Sequence, residues 1–289
     1  MRKKQQEPLS VEHQIGNLKK LGLVISDDET TISFLNDVSY FRLVKAFSLG
    51  LKPRNGNYFE GVTFEQIVRL YKFNSKFRQI LFPIIERAEI NLRCRIANYF
   101  SEKYGVMGYK NKENFTNADY YEEFKEDIKR EIKHNKRSPF VRNFRDNYID
   151  GEIPFYALVE LFSFGMLSKF YKNMQNADKK AVANTYQIGY TYLESWFESI
   201  AFVRNICAHY GRLYKAKLTI KPSLYRQYTQ NGIDNQTVFA VLLCLKHIIS
   251  DNEVWKEYLN DLDILIDKYP EIDVSDFGFV SNWKEYLEK

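Results

Sequence analysis

The sequence has few cysteines and lacks the familiar metal-binding and phosphate-binding motifs. Its three cysteines, Cys94, Cys207 and Cys244, are far apart and lie in apolar surroundings. This odd, scattered set fits neither a disulfide framework nor a zinc site and favours a reducing compartment, so we expect a cytoplasmic protein. No zinc-ligand spacing, glycine-rich phosphate loop or Gly-x-Ser-x-Gly elbow occurs. No acidic pair is convincingly placed for a two-metal nuclease, so we expect no metal and no cofactor.

Long hydrophobic runs and extreme charge are also missing. No apolar stretch approaches the roughly 18 residues that span a bilayer. The basic start, MRKKQQEPLS, has no hydrophobic segment after it, so it does not predict a secretory signal. We expect residues 1–9 to form a flexible tail and 10–289 to form one domain. The net charge of +5 is compatible with an RNA partner but does not by itself indicate one.

The hydrophobic pattern predicts an all-α protein. Hydrophobic residues make up 45% of the chain and aromatic residues 16%, which is ample for a packed core. Apolar residues recur at three- and four-residue spacing through most of the sequence. Thr63 and Gln66, three residues apart, predict a capping box at the start of the longest helix. The predicted helices are 11–21, 28–43 with a possible break near Asp37, 64–104 kinked or divided at Pro83, 119–136, 138–148, 155–174, 177–186, 192–214, 235–249 and 252–268. The segment 50–61 has loop composition, and a small hairpin that turns at Asn55-Gly56 is an alternative. We expect Phe279 and Trp283 to fold back on the rest of the protein.

One stretch, from Glu194 to Tyr214, combines an apolar helical stripe with polar residues suited to phosphate chemistry. Its sequence is ESWFESIAFVRNICAHYGRLY. Asn205 and His209 are four residues apart and share a helix face, and the long Arg204 side chain can curl toward the same area. Arginine binds a phosphodiester through paired hydrogen bonds, and histidine moves protons near neutral pH. From the residues alone, a structural histidine with Arg204 in an ion pair is the simpler alternative.

This stretch resembles a ribonuclease signature. RNICAH, residues 204–209, is similar to the Arg, four-to-six residues, His signature of the HEPN ribonuclease superfamily, including the Asn after the Arg. The segments ISFLNDVSYFRLVKAF, TFEQIVRLYKFNSKFRQILFPIIERAEINLRCRIANYF and FVRNICAHYGRLY resemble, in that order, the Abi-type abortive-infection proteins of bacteria, the AbiD/AbiF group. The likeness covers about residues 9–258. That group is also similar to the HEPN modules of RNA-guided CRISPR ribonucleases.

The resemblance implies a fold and an activity. The expected fold is a HEPN-like helical bundle with additional helices, with catalytic helices at about 63–104 and 190–214 and a charged helical insertion at about 119–148. The implied activity is that of a metal-independent endoribonuclease toxin of phage defence. The RNA 2′-hydroxyl would attack the adjacent phosphorus and leave a 2′,3′-cyclic phosphate and a 5′-hydroxyl.

The resemblance also implies roles for the motif residues. His209 would act as acid or base, Arg204 would stabilise the charge on the phosphorane, and Asn205 would hold the imidazole or the phosphate in register. One chain carries one motif, and the superfamily pairs two HEPN units, so we expect a homodimer with a composite active site. Because uncontrolled RNA cleavage is toxic, an RNA or protein antitoxin is also expected.

Further residues are candidates for binding RNA or supporting the site. Arg212 is a candidate for a second phosphate contact. Glu86 or Glu89 is expected to orient Arg204 or His209, although a solvated helix face also explains these carboxylates. The candidate RNA contacts in the charged helix are Lys129, Arg130 and Lys133, whose simpler interpretation is a solvated surface. Two other functions stay open: a non-catalytic RNA-binding module and a helical protein-interaction protein.

Overall fold

The computed structural model describes residues 7–288, and over this range the chain is all-α, as predicted, with no β-strand. Of the tail expected at 1–9, residues 1–6 lie outside the described range. The helices are α1 (Val11–Lys20), α2 (Asp28–Val38), α3 (Phe64–Tyr104), α4 (Ala118–His134), α5 (Pro139–Asn147), α6 (Phe155–Leu158), α7 (Phe164–Asn173), α8 (Asn176–Asn184), α9 (Tyr190–Ala208), α10 (Arg226–Gln230), α11 (Val238–Ile248), α12 (Asn252–Lys268) and α13 (Trp283–Leu287). A π-helical turn, Phe41–Lys45, follows α2.

Helix α3, 41 residues long, is the element against which most others pack. It begins with the predicted capping box, in which Thr63 accepts the backbone N–H of Gln66 and the Gln66 side chain accepts that of Thr63. Of the kink or division expected at Pro83, the division does not occur, because the helix continues through this residue. Proline has no backbone N–H to donate to the helix. Packing by α9 and α12 stabilises α3 in spite of this missing hydrogen bond.

Helix α9 lies in the centre of the bundle. It packs against α3, α7, α8 and α11. The predicted apolar stripe is present, because Trp196, Phe197, Ile200 and Val203 are buried. Because the helix is packed on several sides, it cannot rotate or slide. The packing therefore determines where the polar motif residues reach the surface.

The segment predicted as one helix over 155–174 is broken, and this is a correction. Helix α6 passes through a 3₁₀ turn, and α7 then begins after Ser163, whose hydroxyl accepts the backbone N–H of Met166. The carbonyls of Val159 and Phe162 at the break accept hydrogen bonds from Arg93 of α3. The break therefore replaces helical hydrogen bonds with bonds to a distant arginine.

Helix α4 lies on the surface, with Tyr121, Phe124 and Ile128 buried where it packs against α7. The Asn55-Gly56 hairpin does not form; in this loop the structure has only an isolated bridge between Leu49 and Lys52.

The C-terminal segment folds back as expected. Phe279 packs against Phe77 of α3 and Phe239 of α11, and Trp283 is buried. Within residues 7–288 no single helix is long and apolar enough to cross a membrane, and one bent pair, Ile149–Leu161 with Phe164–Asn173 at 110°, meets the length and composition criteria together.

Candidate active site

The end of α9 delivers the motif histidine to the surface. The helix ends at Ala208 and His209 is its C-cap, so the expected continuation to Tyr214 is wrong. Tyr210 takes a left-handed conformation with φ of 58°, and the N–H of Gly211 donates to the carbonyl of Ile206 at 2.7 Å. A Cβ at Gly211 would lie only 2.7 Å from Ile206 Cγ2, so this close return requires glycine. The turn leaves the His209 side chain exposed.

A buried asparagine of α3 fixes the loop that follows. Asn74 is 1% exposed, and its Oδ1 accepts the backbone N–H groups of Leu213 at 2.7 Å and Tyr214 at 3.1 Å. Its Nδ2 donates to the carbonyl of Gly211 at 3.4 Å. Because these groups are buried, losing the amide would leave donors unsatisfied. Asn74 was not among the predicted site residues, although an amide on the apolar stripe of α3 was a signal.

The motif arginine lies in a cluster of two arginines and one carboxylate. Glu89 of α3 accepts a 2.7 Å hydrogen bond from Arg93 through Oε1, and its Oε2 lies 3.5 Å from Arg204 Nε. Arg93 is 8% exposed and also donates to the Val159 and Phe162 carbonyls. Arg204 Nε makes no hydrogen bond within residues 7–288, so its link to Glu89 is electrostatic. Arg93 therefore fixes Glu89, and Glu89 positions Arg204.

The charges of this cluster do not balance. Two guanidiniums share one carboxylate, so the Arg93–Glu89–Arg204 cluster carries a net positive charge. The Glu89 side chain is only 13% exposed and that of Arg204 31%, so water screens the cluster weakly. The arrangement favours an anion beside Arg204.

Asn205 and His209 lie on the exposed side of α9. Asn205 Oδ1 accepts a long hydrogen bond, 3.4 Å, from Arg204 Nη1. Over the described range no hydrogen bond joins the His209 side chain to Arg204 or Asn205. The structure thus brings Arg204, Asn205 and Glu89 together and places His209 one turn further on, with its imidazole open to solvent.

The other predicted site residues lie elsewhere or are already engaged. Arg212 donates to the carbonyl of Tyr214 at 2.6 Å, and burial lowers the pKa of its guanidinium. Glu86 is exposed in the groove between α3 and α12, so of the two candidate carboxylates only Glu89 contacts the motif.

The lysine-rich helix α4 is a surface helix with internal ion pairs. Lys129 pairs with Glu126 at 2.6 Å, Arg130 pairs with Asp127, and Lys133 is exposed. Exposed ion pairs of this kind contribute little to stability, so the lysine and arginine can leave their carboxylates to bind another anion. These cations are accessible, and their role in binding RNA stays a prediction.

A cleft of about 740 Å³ opens beside the motif. It lies between the end of α9, the middle of α3 and the turn after α2. Its lining includes Arg42, Arg78, Phe82 and Tyr210. Phe82 also lies under the Arg204 guanidinium, 5.9 Å from its central carbon, so the cleft and the motif are contiguous. Neither Arg42 nor Arg78 was among the predicted site residues.

The cysteines form no disulfide. Cys94 is exposed, while Cys207 and Cys244 are buried, and all three are free. Burial raises the pKa of the Cys207 thiol to about 12, so this thiol beside the cleft is uncharged at neutral pH. Among the residues that the structure describes, no group of three or more His, Cys, Asp or Glu could hold a metal ion.

Comparison with known proteins identifies one family. The model of the family described as Abi-like protein matches residues 33–215, more than half of the chain. The matched region runs from within α2 to the loop after α9 and includes Glu89, Arg204 and His209. No curated protein and no solved structure matches the chain.

Proposed function

The chain belongs to the Abi-like protein family, and from this premise we propose that it acts in abortive infection of phage-infected bacteria as an RNA-cleaving toxin of the HEPN type. The family itself points to phage defence. The endoribonuclease activity is inferred from the residues at the end of α9.

One observation carries the proposal: a positively charged, weakly solvated cluster holds Arg204 five residues before an exposed histidine at the end of the same helix. Arg93 holds Glu89, Glu89 positions the Arg204 guanidinium, and Asn205 accepts a hydrogen bond from it. His209 is open to solvent one turn further on. A purely structural motif would have no need of an exposed imidazole or of an unbalanced guanidinium.

The proposed reaction uses the nucleophile that RNA carries. A base takes the proton of the 2′-hydroxyl, the 2′-oxygen attacks phosphorus, and the bond to the 5′-oxygen breaks as an acid protonates it. His209 supplies the proton transfers, and Arg204 stabilises the charge that develops on the non-bridging oxygens. The products are a 2′,3′-cyclic phosphate and a 5′-hydroxyl, and the scheme needs no metal.

Separate acid and base roles call for two imidazoles, and the chain has one motif. We therefore propose a homodimer in which His209 from each copy faces a shared groove. Two exposed aromatic side chains suit a partner surface: Tyr210, 69% exposed, directly follows His209, and Phe41, 78% exposed, precedes Arg42, which donates to the Tyr210 carbonyl. Mass measurement in solution is expected to give twice the chain mass of 34.4 kDa; a strict monomer at micromolar concentration would contradict the shared site.

Incubation of the purified protein with total RNA in EDTA tests the activity itself. Cleavage is expected to persist, because Arg204 and His209 perform the chemistry in the proposed scheme. If the RNA is shifted in a gel but stays intact, and its binding falls steeply with salt, the chain is a binding module instead. Absence of any RNA affinity at low salt would support a helical protein-interaction protein.

A further inference from the structure

The cleft beside the motif contains a buried arginine that has no hydrogen-bond or ion-pair partner within residues 7–288. Arg78 of α3 is 7% exposed, and no hydrogen bond or ion pair joins its guanidinium to any residue within 7–288. Its Nε is fully buried and unsatisfied. A buried charge without compensation destabilises a fold, and because Arg78 lines the cleft, its guanidinium can be compensated there by water or by a bound anion.

A second arginine lies at the same place. Arg42, on the turn after α2, donates from Nη1 to the carbonyl of Tyr210 at 3.2 Å. The central carbons of Arg42 and Arg78 lie 5.9 Å and 5.8 Å from the centre of the Tyr210 ring. The Tyr210 side chain therefore holds two like charges at one site, although they repel each other.

The surrounding groups do not neutralise this pair. Asp37 is the one carboxylate in the lining of the cleft. The Cys207 thiol next to Arg78 is uncharged at neutral pH, because burial raises its pKa to about 12. Two guanidiniums against one carboxylate leave the cleft positive, and the planar forks of arginine match the oxygens of a phosphate.

The position of the cleft indicates which phosphate it binds. Ala208 and Tyr210, which flank His209 in sequence, both line it, and Phe82 joins it to Arg204. We propose that the Arg42–Arg78 cleft binds a backbone phosphate of the RNA strand, next to the phosphate at which Arg204 and His209 act. This inference rests on the proposed function for its ligand, and it makes Arg78 and Arg42 binding residues of the strand, separate from the catalytic pair.

The test is equilibrium binding of a short 2′-O-methyl RNA to the full-length protein in EDTA. Such RNA has no free 2′-hydroxyl, so binding is measured without cleavage. Arg78→Met is expected to weaken binding by about tenfold or more. It is also expected to reduce the slope of log affinity against log salt by about 0.7, the value for one lost contact to a single strand. Arg42→Met is also expected to lower both the RNA affinity and the salt slope.

Controls separate this role from a structural one. Arg78→Met is expected to raise the melting temperature, because it removes an uncompensated buried charge, whereas a structural arginine would lower it on replacement. Arg78→Lys keeps the charge and is expected to retain the salt slope. Arg87→Met, on the same helix but in the groove facing α12, is expected to bind RNA as the wild type does.

Two results would overturn the inference. One is unchanged RNA affinity and unchanged salt slope in Arg78→Met. The other is loss of binding to free adenosine monophosphate or inorganic phosphate in Arg78→Met while RNA binding is retained, since this would assign the cleft to a small phosphorylated ligand. If the wild type binds but does not cleave ordinary RNA, and Arg78→Met weakens that binding, the cleft assignment stands and the proposed catalysis fails.

Discussion

Replacement of His209 with alanine is expected to lower the rate of RNA cleavage by about 10²–10⁴-fold, the usual contribution of a positioned acid or base. The reason is that the His209 imidazoles of the two copies, each exposed at the C-cap of α9, supply the two proton transfers in the proposed scheme. The His209 side chain makes no hydrogen bond to the motif residues Arg204 and Asn205, so the substitution should leave the fold intact. Single-turnover cleavage of a defined RNA by the variant and the wild type measures the effect.

His134→Ala is the matched control. Like His209, His134 is exposed and lies at the end of a helix, α4. Arg130 precedes it by four residues. We expect this variant to cleave at the wild-type rate. Equal losses in His134→Ala and His209→Ala, or wild-type activity in His209→Ala with an unchanged circular dichroism spectrum, would contradict the assignment of the catalytic histidine.

Substitution of Glu89 by glutamine is expected to have the largest effect on stability. The carboxylate lies between Arg93 and Arg204, and its side chain is 13% exposed. An amide at this position leaves two guanidiniums uncompensated, which should cost about 3 kcal/mol in the free energy of unfolding. Cleavage should fall as well, because Arg204 loses the group that positions it. Urea unfolding measures the first effect and single-turnover cleavage the second.

Glu86→Gln, one turn earlier on the same helix, gives the comparison. Both carboxylates were equal candidates from the sequence, and only Glu89 contacts the motif arginine. Glu86 is exposed, so its substitution is expected to change neither the unfolding midpoint nor the cleavage rate. If the two variants are equally stable, the cluster does not act as described.

Local patterns predicted much of the fold. The capping box at Thr63 and Gln66 marked the start of the longest helix, and α12 has the predicted bounds, Asn252–Lys268. Both depend on residues a few positions apart, which a single sequence displays directly. The predicted helix bounds were wrong where residues distant in sequence bond to the backbone. One example is the break between α6 and α7, where two carbonyls accept hydrogen bonds from Arg93.

The candidate site was predictable only in part, for the same physical reason. Arg204, Asn205 and His209 stand together in the sequence, and Glu89 was one of two options. Arg93 and Asn74 were missed because their partners are distant: Arg93 bonds to carbonyls 66 and 69 residues away, and Asn74 to N–H groups 139 and 140 residues away. Periodicity alone does not separate a solvated helix edge from a buried ion cluster.

Arg78 shows what a buried polar residue in a helical pattern can signal. It follows Asn74 by one turn, and both fall among buried apolar residues of α3. Asn74 bonds to three backbone groups of the chain, whereas Arg78 has no hydrogen-bond or ion-pair partner over the described range. The sequence pattern is the same for both residues. The coordinates are needed to distinguish Asn74, which fixes a loop, from Arg78, the proposed phosphate-binding residue.

The chemistry of the RNA ends tests the central claim most directly. A defined RNA is incubated with the wild-type protein in EDTA, and the products are analysed by mass spectrometry. Attack by the 2′-hydroxyl with His209 and Arg204 predicts a 2′,3′-cyclic phosphate and a 5′-hydroxyl at each cut, and no cut where the 2′-hydroxyl is replaced by a methoxy group. Products with a 3′-hydroxyl and a 5′-phosphate, or cleavage at a methoxy-substituted position, would contradict the account.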